Sequence, residues 1–163
     1  MPYPRVASAS LRLGRCNEHG RIYLVTFTTT AREPLFAEWE PACAAVRAFT
    51  SAANWRRSRL LCWVLMPDHW QGLVELGRTD VLSSVVQRLK GRSARAANRA
   101  LSRTGRAIWG SGFHDRALRM EEDLLGTARY IVHNPIRAGL VARSGLYPFW
   151  DAVWLDVDDK HRG

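Results

Sequence analysis

The chain contains 163 residues and carries a formal net charge of +9, with a sequence pI near 10.5. This length favours one domain with an apolar core over two domains. No stretch reaches the run of about 18 apolar residues that a membrane-spanning helix needs, and no apolar segment follows the charges at the N-terminus. The three cysteines lack the paired spacing of a zinc site. We therefore expect a cytoplasmic protein with no membrane partner.

The positive charge is almost entirely arginine, because Lys90 and Lys160 are the only lysines. The planar arginine fork matches phosphates and base edges and stacks on nucleobases, so an arginine excess favours nucleic acid as the partner. A GC-rich genome would also encode arginine in place of lysine on an ordinary solvated surface. Composition leaves both interpretations open, and the distribution of the charge must decide between them.

The first half of the chain predicts three strands and one helix. Arg21 to Thr30 is dense in β-branched and aromatic residues and predicts a strand. A helix is predicted from Glu38 to Ala53, where apolar residues recur at helical spacing. Leu60 to Met66 and His69 to Leu76 are short apolar runs on either side of Pro67-Asp68. That pattern predicts two strands joined by a tight turn.

The second half predicts a helix, a strand and a last helix. Asp80 is an N-cap candidate for a helix that runs to about Arg103. Phe113 to Arg119 predicts a strand, and the acidic run at 121–123 suits the first turn of the last helix. The order β-α-β-β-α-β-α is the split βαβ pattern of an α+β fold, a ferredoxin-like antiparallel sheet with helices packed on one face. Such a fold hosts many functions and does not identify the chemistry.

Three segments differ in composition. Residues 1–20 are polar, basic and rich in breakers, which is typical of an N-terminal arm. Residues 21–141 contain all the predicted elements and form the expected domain. Residues 142–163 are expected to be a short C-terminal extension whose tryptophans, Trp150 and Trp154, pack back on that domain.

His69 and Gln71 lie two residues apart in a predicted strand, so their side chains project from the same face. Imidazole nitrogen and amide oxygen are both competent donors to a divalent cation, and Mg²⁺ or Mn²⁺ held there could grip a phosphate oxygen. A lone His-x-Gln pair is common in sheets. Its spacing by itself leaves a metal site and a structural pair as alternatives.

Tyr130 and Asn134 are four residues apart near the end of the last predicted helix, which places them on one helix face. They could combine a nucleophile with a further oxygen ligand. Tyrosine attacks phosphorus only where its surroundings favour the phenolate, and most tyrosines at such positions are half-buried core residues. Asn134 also has a plainer explanation as a helix stop before Pro135.

The arginines of the second predicted helix form a stripe. They are spaced at intervals of four, three and four: Arg88, Arg92, Arg95 and Arg99. Between Val81 and Trp109 there are six arginines and Lys90 but no acidic residue, whereas a merely solvated helix mixes its signs. This distribution favours a nucleic-acid phosphate track. Arg12 and Arg15 on the N-terminal arm are expected to add a second, weaker contact.

Four segments together resemble REP-associated tyrosine transposases, a branch of the single-tyrosine HUH transposases. The segments, in chain order, are RIYLVTFTTT with PLF after it, WVLMPDHWQGLVEL, WGSGFHDRALR and ARYIVHNPIRAGLV. The second and the last are specific, because a strand ending in Met-Pro-Asp-His and a later Tyr-Ile-x-x-Asn-Pro-x-Arg-Ala-Gly-Leu-Val rarely occur in one chain by chance. The resemblance runs from about Gly20 to Val141.

The resemblance implies a catalytic domain that cuts and rejoins single-stranded DNA beside hairpins, with Tyr130 as the nucleophile and a divalent metal, Mg²⁺ or Mn²⁺, as cofactor. It implies His69 and Asn134 as metal ligands. Gln71 stands where the family has the second histidine of its His-hydrophobic-His motif, so we expect a weaker metal site or a shifted metal preference. It also implies a monomer. No nucleotide cofactor is expected, since the chain has no Walker loop.

Two alternatives stay open at this point. The first is a hairpin-DNA-binding protein of the same fold whose catalysis is impaired by Gln71. The second is an RNA-binding domain of the same topology, which would stack bases on sheet aromatics such as Tyr23 and Phe27.

Overall fold

The computed structural model describes residues 21–119 and 124–154. The predicted N-terminal arm with Arg12 and Arg15, and the acidic run at 121–123, lie outside the described residues. In the described part of the chain, no helix combines the length and apolar character needed to cross a membrane.

The described residues form five strands and four helices. They are β1 (Ile22–Thr28), α1 (Trp39–Thr50), β2 (Arg59–Met66), β3 (His69–Glu75), α2 (Leu82–Ala100), β4 (His114–Ala117), α3 (Leu124–Val132), α4 (Asn134–Arg137) and β5 (Trp150–Ala152). Each element predicted from the sequence is present, with bounds that differ by a few residues where both ends are described. The one-turn helix α4 and the strand β5 were not predicted.

The first helix ends three residues before its predicted end because side chains satisfy its last carbonyl groups. The Asn54 amide donates to the Ala48 carbonyl at 2.6 Å, and the Trp55 indole N–H donates to the Phe49 carbonyl at 2.7 Å. These bonds replace the backbone donors that a further helical turn would have supplied.

The sheet is antiparallel throughout, with strand order β4-β1-β3-β2-β5. As the Pro67-Asp68 turn predicts, β2 and β3 form a hairpin in which Met66 pairs with His69. β5 pairs with residues 62–64 of β2. The chain after residue 141, assigned from the sequence to an extension, therefore contributes an edge strand.

Both faces of this sheet are covered by helices. On one face α1 and α2 bury an aromatic core that includes Phe27, Trp70 and Phe49. On the other face α3 packs Ala128 and Ile131 against β2, β3 and β5. The α+β class and the antiparallel sheet are confirmed. The expectation of helices on one face holds for α1 and α2 and is wrong for α3.

The aromatic face of the sheet is closed to nucleobases. Tyr23 is 6% exposed and Phe27 is 1% exposed, because both lie beneath α1 and α2. The RNA-binding alternative requires bases to stack on these rings. Such stacking would be possible only if α1 and α2 moved away from the sheet. The structure therefore argues against that alternative.

Gly72 is required by the tryptophan between the two candidate metal ligands. A Cβ added to Gly72 would lie 2.4 Å and 2.7 Å from ring atoms of Trp70, which is completely buried. We expect Gly72→Ala to destabilise the fold by about 2–3 kcal/mol, as overpacking of a core does, and to lower the melting temperature by about 5–10 °C.

Gly91→Ala is the matched control for Gly72→Ala. Gly91 lies inside α2, where the nearest atom to an added Cβ is 3.8 Å away. Alanine there should stabilise the protein by about 0.5–1 kcal/mol, because it reduces the entropy of the unfolded chain. Thermal denaturation of both variants measures the two changes in melting temperature. If both melting temperatures fall, or both rise, by the same amount, the packing explanation for Gly72 is wrong.

Candidate metal and nucleophile site

Three side chains predicted from the sequence as metal ligands meet beside the end of β3. His69 and Gln71 point to the face that α3 covers, and Asn134 is the first residue of α4. The Asn134 amide nitrogen lies 3.2 Å from His69 Nε2 and 3.5 Å from Gln71 Oε1. The sequence spacing between Gln71 and Asn134 is 63 residues, so the fold and not local structure creates this cluster.

The orientation of His69 is fixed by a carboxylate behind it. Asp68 Oδ1 lies 2.7 Å from His69 Nδ1, and Arg32 Nε lies 3.2 Å from Asp68 Oδ2. Because a carboxylate accepts, the ring carries its proton on Nδ1 and presents the lone pair of Nε2 to Asn134. A carboxylate behind a histidine in this way is the usual means of orienting a metal-binding imidazole. Neither Arg32 nor Asp68 was singled out from the sequence, although Asp68 stands within the Met-Pro-Asp-His segment.

The electrostatic environment keeps His69 neutral. Burial lowers the pKa of His69 below its ordinary value, and the hydrogen bond and charge of Asp68 oppose this effect only in part. The imidazole is therefore unprotonated at neutral pH, which is the form that binds metal ions.

Gln71 is held with its oxygen toward the cluster. Its side chain is 4% exposed, and its amide N–H donates to Thr26 Oγ1 of β1 at 3.2 Å. Thr26 is the direct cross-strand partner of Gln71 in the β1–β3 ladder. This bond leaves Oε1 to face Asn134, so the residue that replaces the family's second histidine presents an oxygen donor.

A short, well-terminated helix carries Asn134. Pro135 occupies its first turn, where a missing N–H is tolerated. At the other end, Gly139 adopts φ 74°, and two hydrogen bonds close a Schellman motif: Gly139 N–H to the Ile136 carbonyl and Leu140 N–H to the Pro135 carbonyl. Asn134-Pro135 was expected only to stop a helix; it also begins a new helical turn.

Tyr130 lies on α3, four residues before Asn134, and its side chain is at the protein surface with 37% exposure. Its ring stacks against Arg137 of α4, whose guanidinium carbon is 3.6 Å from the ring centroid. Tyr147 offers a contrast. It donates its hydroxyl to the Leu65 carbonyl at 2.6 Å, and burial raises its pKa to about 12. Tyr147 is thus a structural tyrosine, whereas Tyr130 is accessible to a substrate.

The donor set fits a hard divalent cation that keeps water in its shell. Nε2 of His69 and Oε1 of Gln71 both point toward the amide hydrogens of Asn134. Because these two atoms carry lone pairs, the point on which they converge is favourable for a positive charge. All three donors are neutral. Within residues 21–119 and 124–154, no group of three or more His, Cys, Asp or Glu side chains is placed to hold a metal. Water and a phosphate oxygen are the ligands that would complete the shell of a cation held by these donors.

The predicted arginine track divides into two parts. Arg88 forms an ion pair with buried Asp80 at 3.2 Å, and Lys90 Nζ donates to the Gly110 and Gly112 carbonyls at 2.7 Å and 2.8 Å. Both therefore hold α2 to neighbouring loops. The remaining members, Arg92, Arg95 and Arg99, line a more exposed strip of α2, in which Arg92 is half-buried and Arg95 and Arg99 are exposed. Because α2 and α3 lie on opposite faces of the sheet, this strip and Tyr130 lie on different sides of the molecule.

Comparisons with known proteins identify the family of the chain. The family model for IS200-like transposases matches residues 18–133. The chain therefore belongs to the IS200-like transposase family. This agrees with the resemblance in its sequence segments. None of the curated proteins compared with the chain matches it.

Two solved structures share the fold. A REP-associated tyrosine transposase bound to a REP hairpin is 23% identical, with a TM-score of 0.66 over 83% of this chain and 79% of the other. A candidate transposase from Deinococcus radiodurans R1 is 21% identical, with a TM-score of 0.51 over 74% of this chain and 95% of the other. At these identities the likeness shows a common fold.

Proposed function

We propose that the protein is a monomeric, metal-dependent transposase that nicks and rejoins single-stranded DNA beside a hairpin, through a 5′-phosphotyrosine at Tyr130. One observation carries the proposal: His69, Gln71 and Asn134 converge at the end of the helix that bears an accessible tyrosine. Membership of the IS200-like family supports it, as does the likeness to a transposase solved with a REP hairpin.

The proposed reaction exchanges one phosphodiester for another. Oη of Tyr130 forms a bond to phosphorus while the P–O3′ bond breaks. The phenol proton passes to solvent and the departing 3′-oxygen takes a proton from solvent, so no net proton is consumed. A 3′-hydroxyl can reverse the step without a nucleotide cofactor, because the phosphodiester bond is retained in the link to tyrosine.

The residues of the site have separate tasks in this reaction. His69, Gln71 and Asn134 would hold a divalent ion, Mg²⁺ or Mn²⁺, and that ion supplies Lewis-acid polarisation of the scissile phosphate. Asp68 keeps the lone pair of Nε2 directed into the site, and Thr26 does the same for the Gln71 oxygen.

A second candidate is a hairpin-binding protein with impaired catalysis. The observation that favours it is the mutual satisfaction of the cluster, in which the Asn134 amide hydrogens already bond to His69 and Gln71. Holding a metal would require Asn134 to present its oxygen in place of its nitrogen. Gln71 would then be a substitution that preserves the fold and weakens the cation site.

Covalent trapping distinguishes the two candidates. The protein is incubated with single-stranded hairpin DNA labelled at its 3′ end, the end that stays on the proposed 5′-phosphotyrosine, and with either Mg²⁺ or Mn²⁺, and SDS-resistant protein–DNA complexes are separated. Transposase activity predicts a metal-dependent band and a DNA-linked peptide that maps to Tyr130. Hairpin binding without a band in either metal, and without a band in Gln71→His, would support the impaired binding protein.

We further propose that Arg92, Arg95 and Arg99 contact the DNA backbone at a distance from the scissile phosphate. Replacing both Arg95 and Arg99 with glutamine should reduce the slope of log affinity against log salt by about 1.4–1.8, since each phosphate contact contributes about 0.7–0.9. The double variant Arg56→Gln/Arg57→Gln removes the same charge from an exposed loop before β2. Equal slopes for the two double variants, measured by fluorescence anisotropy, would contradict a specific track on α2.

A further inference from the structure

The nucleophile candidate and a cation are stacked on each other. The Arg137 guanidinium carbon lies 3.6 Å from the centroid of the Tyr130 ring, which is the separation of direct contact between two flat groups. Both side chains are exposed on their outer sides. A cation over an aromatic face is attracted by the electrons of the ring, at exposed sites as well as at buried ones. This attraction favours the orientation of the Tyr130 ring that keeps it in contact with Arg137.

The backbone beneath Arg137 is well defined. α4 begins at Asn134, has the buried Pro135 in its first turn, and ends in the Schellman motif at Gly139. Arg137 is one turn after Asn134 on the same four-residue helix. A single rigid turn therefore carries both a candidate metal ligand and the group that contacts the nucleophile.

We propose that Arg137 is a positioning residue for Tyr130. Its stacked guanidinium holds the ring in one orientation, so that Oη is directed consistently toward a phosphate held beside Asn134. The role rests on the proposed function, and it predicts that Arg137 affects the chemical steps more than DNA affinity.

Variants at two neighbouring arginines separate positioning from simple charge. Arg137→Gln removes the cation, and Arg137→Lys keeps the charge without the flat stacking surface. Arg129→Gln is the control. Arg129 is an exposed arginine adjacent to Tyr130 in α3, and replacing it with glutamine removes the same charge. At saturating hairpin DNA, we expect Arg137→Gln to form the covalent adduct roughly 10-fold to 100-fold more slowly than wild type, in the range of a misplaced reacting group. Arg137→Lys should recover part of that loss, and Arg129→Gln should react within about threefold of the wild-type rate.

A second readout does not depend on activity. Protein labelled with 3-fluorotyrosine gives a ¹⁹F resonance for Tyr130, assigned by its disappearance in Tyr130→Phe. Without DNA or metal, this resonance should shift and broaden in Arg137→Gln and stay in place in Arg129→Gln. If the resonance shifts in Arg137→Gln but the wild-type protein forms no adduct, the proposed function is refuted and the stacking contact stands. An Arg137→Gln variant with an unchanged resonance, or with a wild-type rate at saturating DNA, would overturn the positioning role.

Discussion

Tyr130→Phe is expected to bind hairpin DNA with wild-type affinity and to form no covalent adduct in either Mg²⁺ or Mn²⁺. The substitution removes one oxygen from a side chain that is 37% exposed, so the fold and the stack with Arg137 keep their shape. Without the hydroxyl there is no atom to attack phosphorus, and adduct formation should fall by at least about 10³-fold, as it does when a nucleophile is removed from an enzyme of this kind. Gel analysis after SDS denaturation measures the adduct, and anisotropy measures binding.

Tyr147→Phe is the matched control for this experiment. Tyr147 also loses one hydroxyl, but that hydroxyl is bonded to the Leu65 carbonyl at 2.6 Å in the protein interior. The loss of the hydrogen bond should cost about 1–2 kcal/mol of unfolding free energy and leave adduct formation intact. If the adduct persists in Tyr130→Phe and disappears in Tyr147→Phe, the nucleophile is Tyr147 and the assignment to Tyr130 is wrong.

The local rules of strand and helix spacing grouped the candidate ligands into pairs, and the resemblance to the transposase family supplied their proposed role as a metal site. Because side chains alternate along a strand, His69 and Gln71 lie on one face of β3. Helical spacing places Asn134 on the same helix face as Tyr130. The antiparallel hairpin around Pro67-Asp68 follows from the same rules. Each of these inferences depends on residues close to one another in the sequence, which is why it could be made without coordinates.

The position of α3 was harder to predict because it depends on which sheet face needs cover. β2 carries a continuous apolar run, LLCWVLM, and from Cys62 to Met66 its residues alternate between the two cores. A continuous run of this kind is typical of a strand buried on both faces, whereas a half-exposed strand alternates. That signal was present in the sequence and indicates a second helical layer.

Partners outside the arginine stripe account for the remaining differences between the predicted and the observed surface of α2. Charge spacing along α2 groups Arg88 with the other arginines, but the buried Asp80 pairs with it. Lys90 is held by carbonyl groups of the loop before β4. The spacing of charges along one helix does not reveal such partners. A stripe of like charges therefore predicts a nucleic-acid-binding surface only for those members that are not already paired within the protein.

The metal site should depend on DNA for its affinity, and His69 should be its strongest protein ligand. The three protein donors are neutral, so a phosphate oxygen must supply the negative charge that Mn²⁺ favours. We expect Tyr130→Phe protein to bind Mn²⁺ weakly alone and more tightly with hairpin DNA, beyond the sum of protein and DNA measured separately. Electron paramagnetic resonance of free Mn²⁺ measures this binding without any turnover.

In that Mn²⁺ titration, adding His69→Ala to the Tyr130→Phe background should abolish the DNA-dependent increase. Asp68→Asn should weaken Mn²⁺ binding by roughly 10-fold, the lower end of the range for an outer partner of a ligating histidine. Asparagine still accepts the Nδ1 hydrogen bond but loses the charge that pairs with Arg32. Arg92→Gln, on the opposite face of the sheet, serves as the control for lost DNA affinity, and measurements are made with DNA at saturation. If His69→Ala retains the full DNA-dependent increase in Mn²⁺ binding, the ion is held elsewhere, and the cluster of His69, Gln71 and Asn134 is structural.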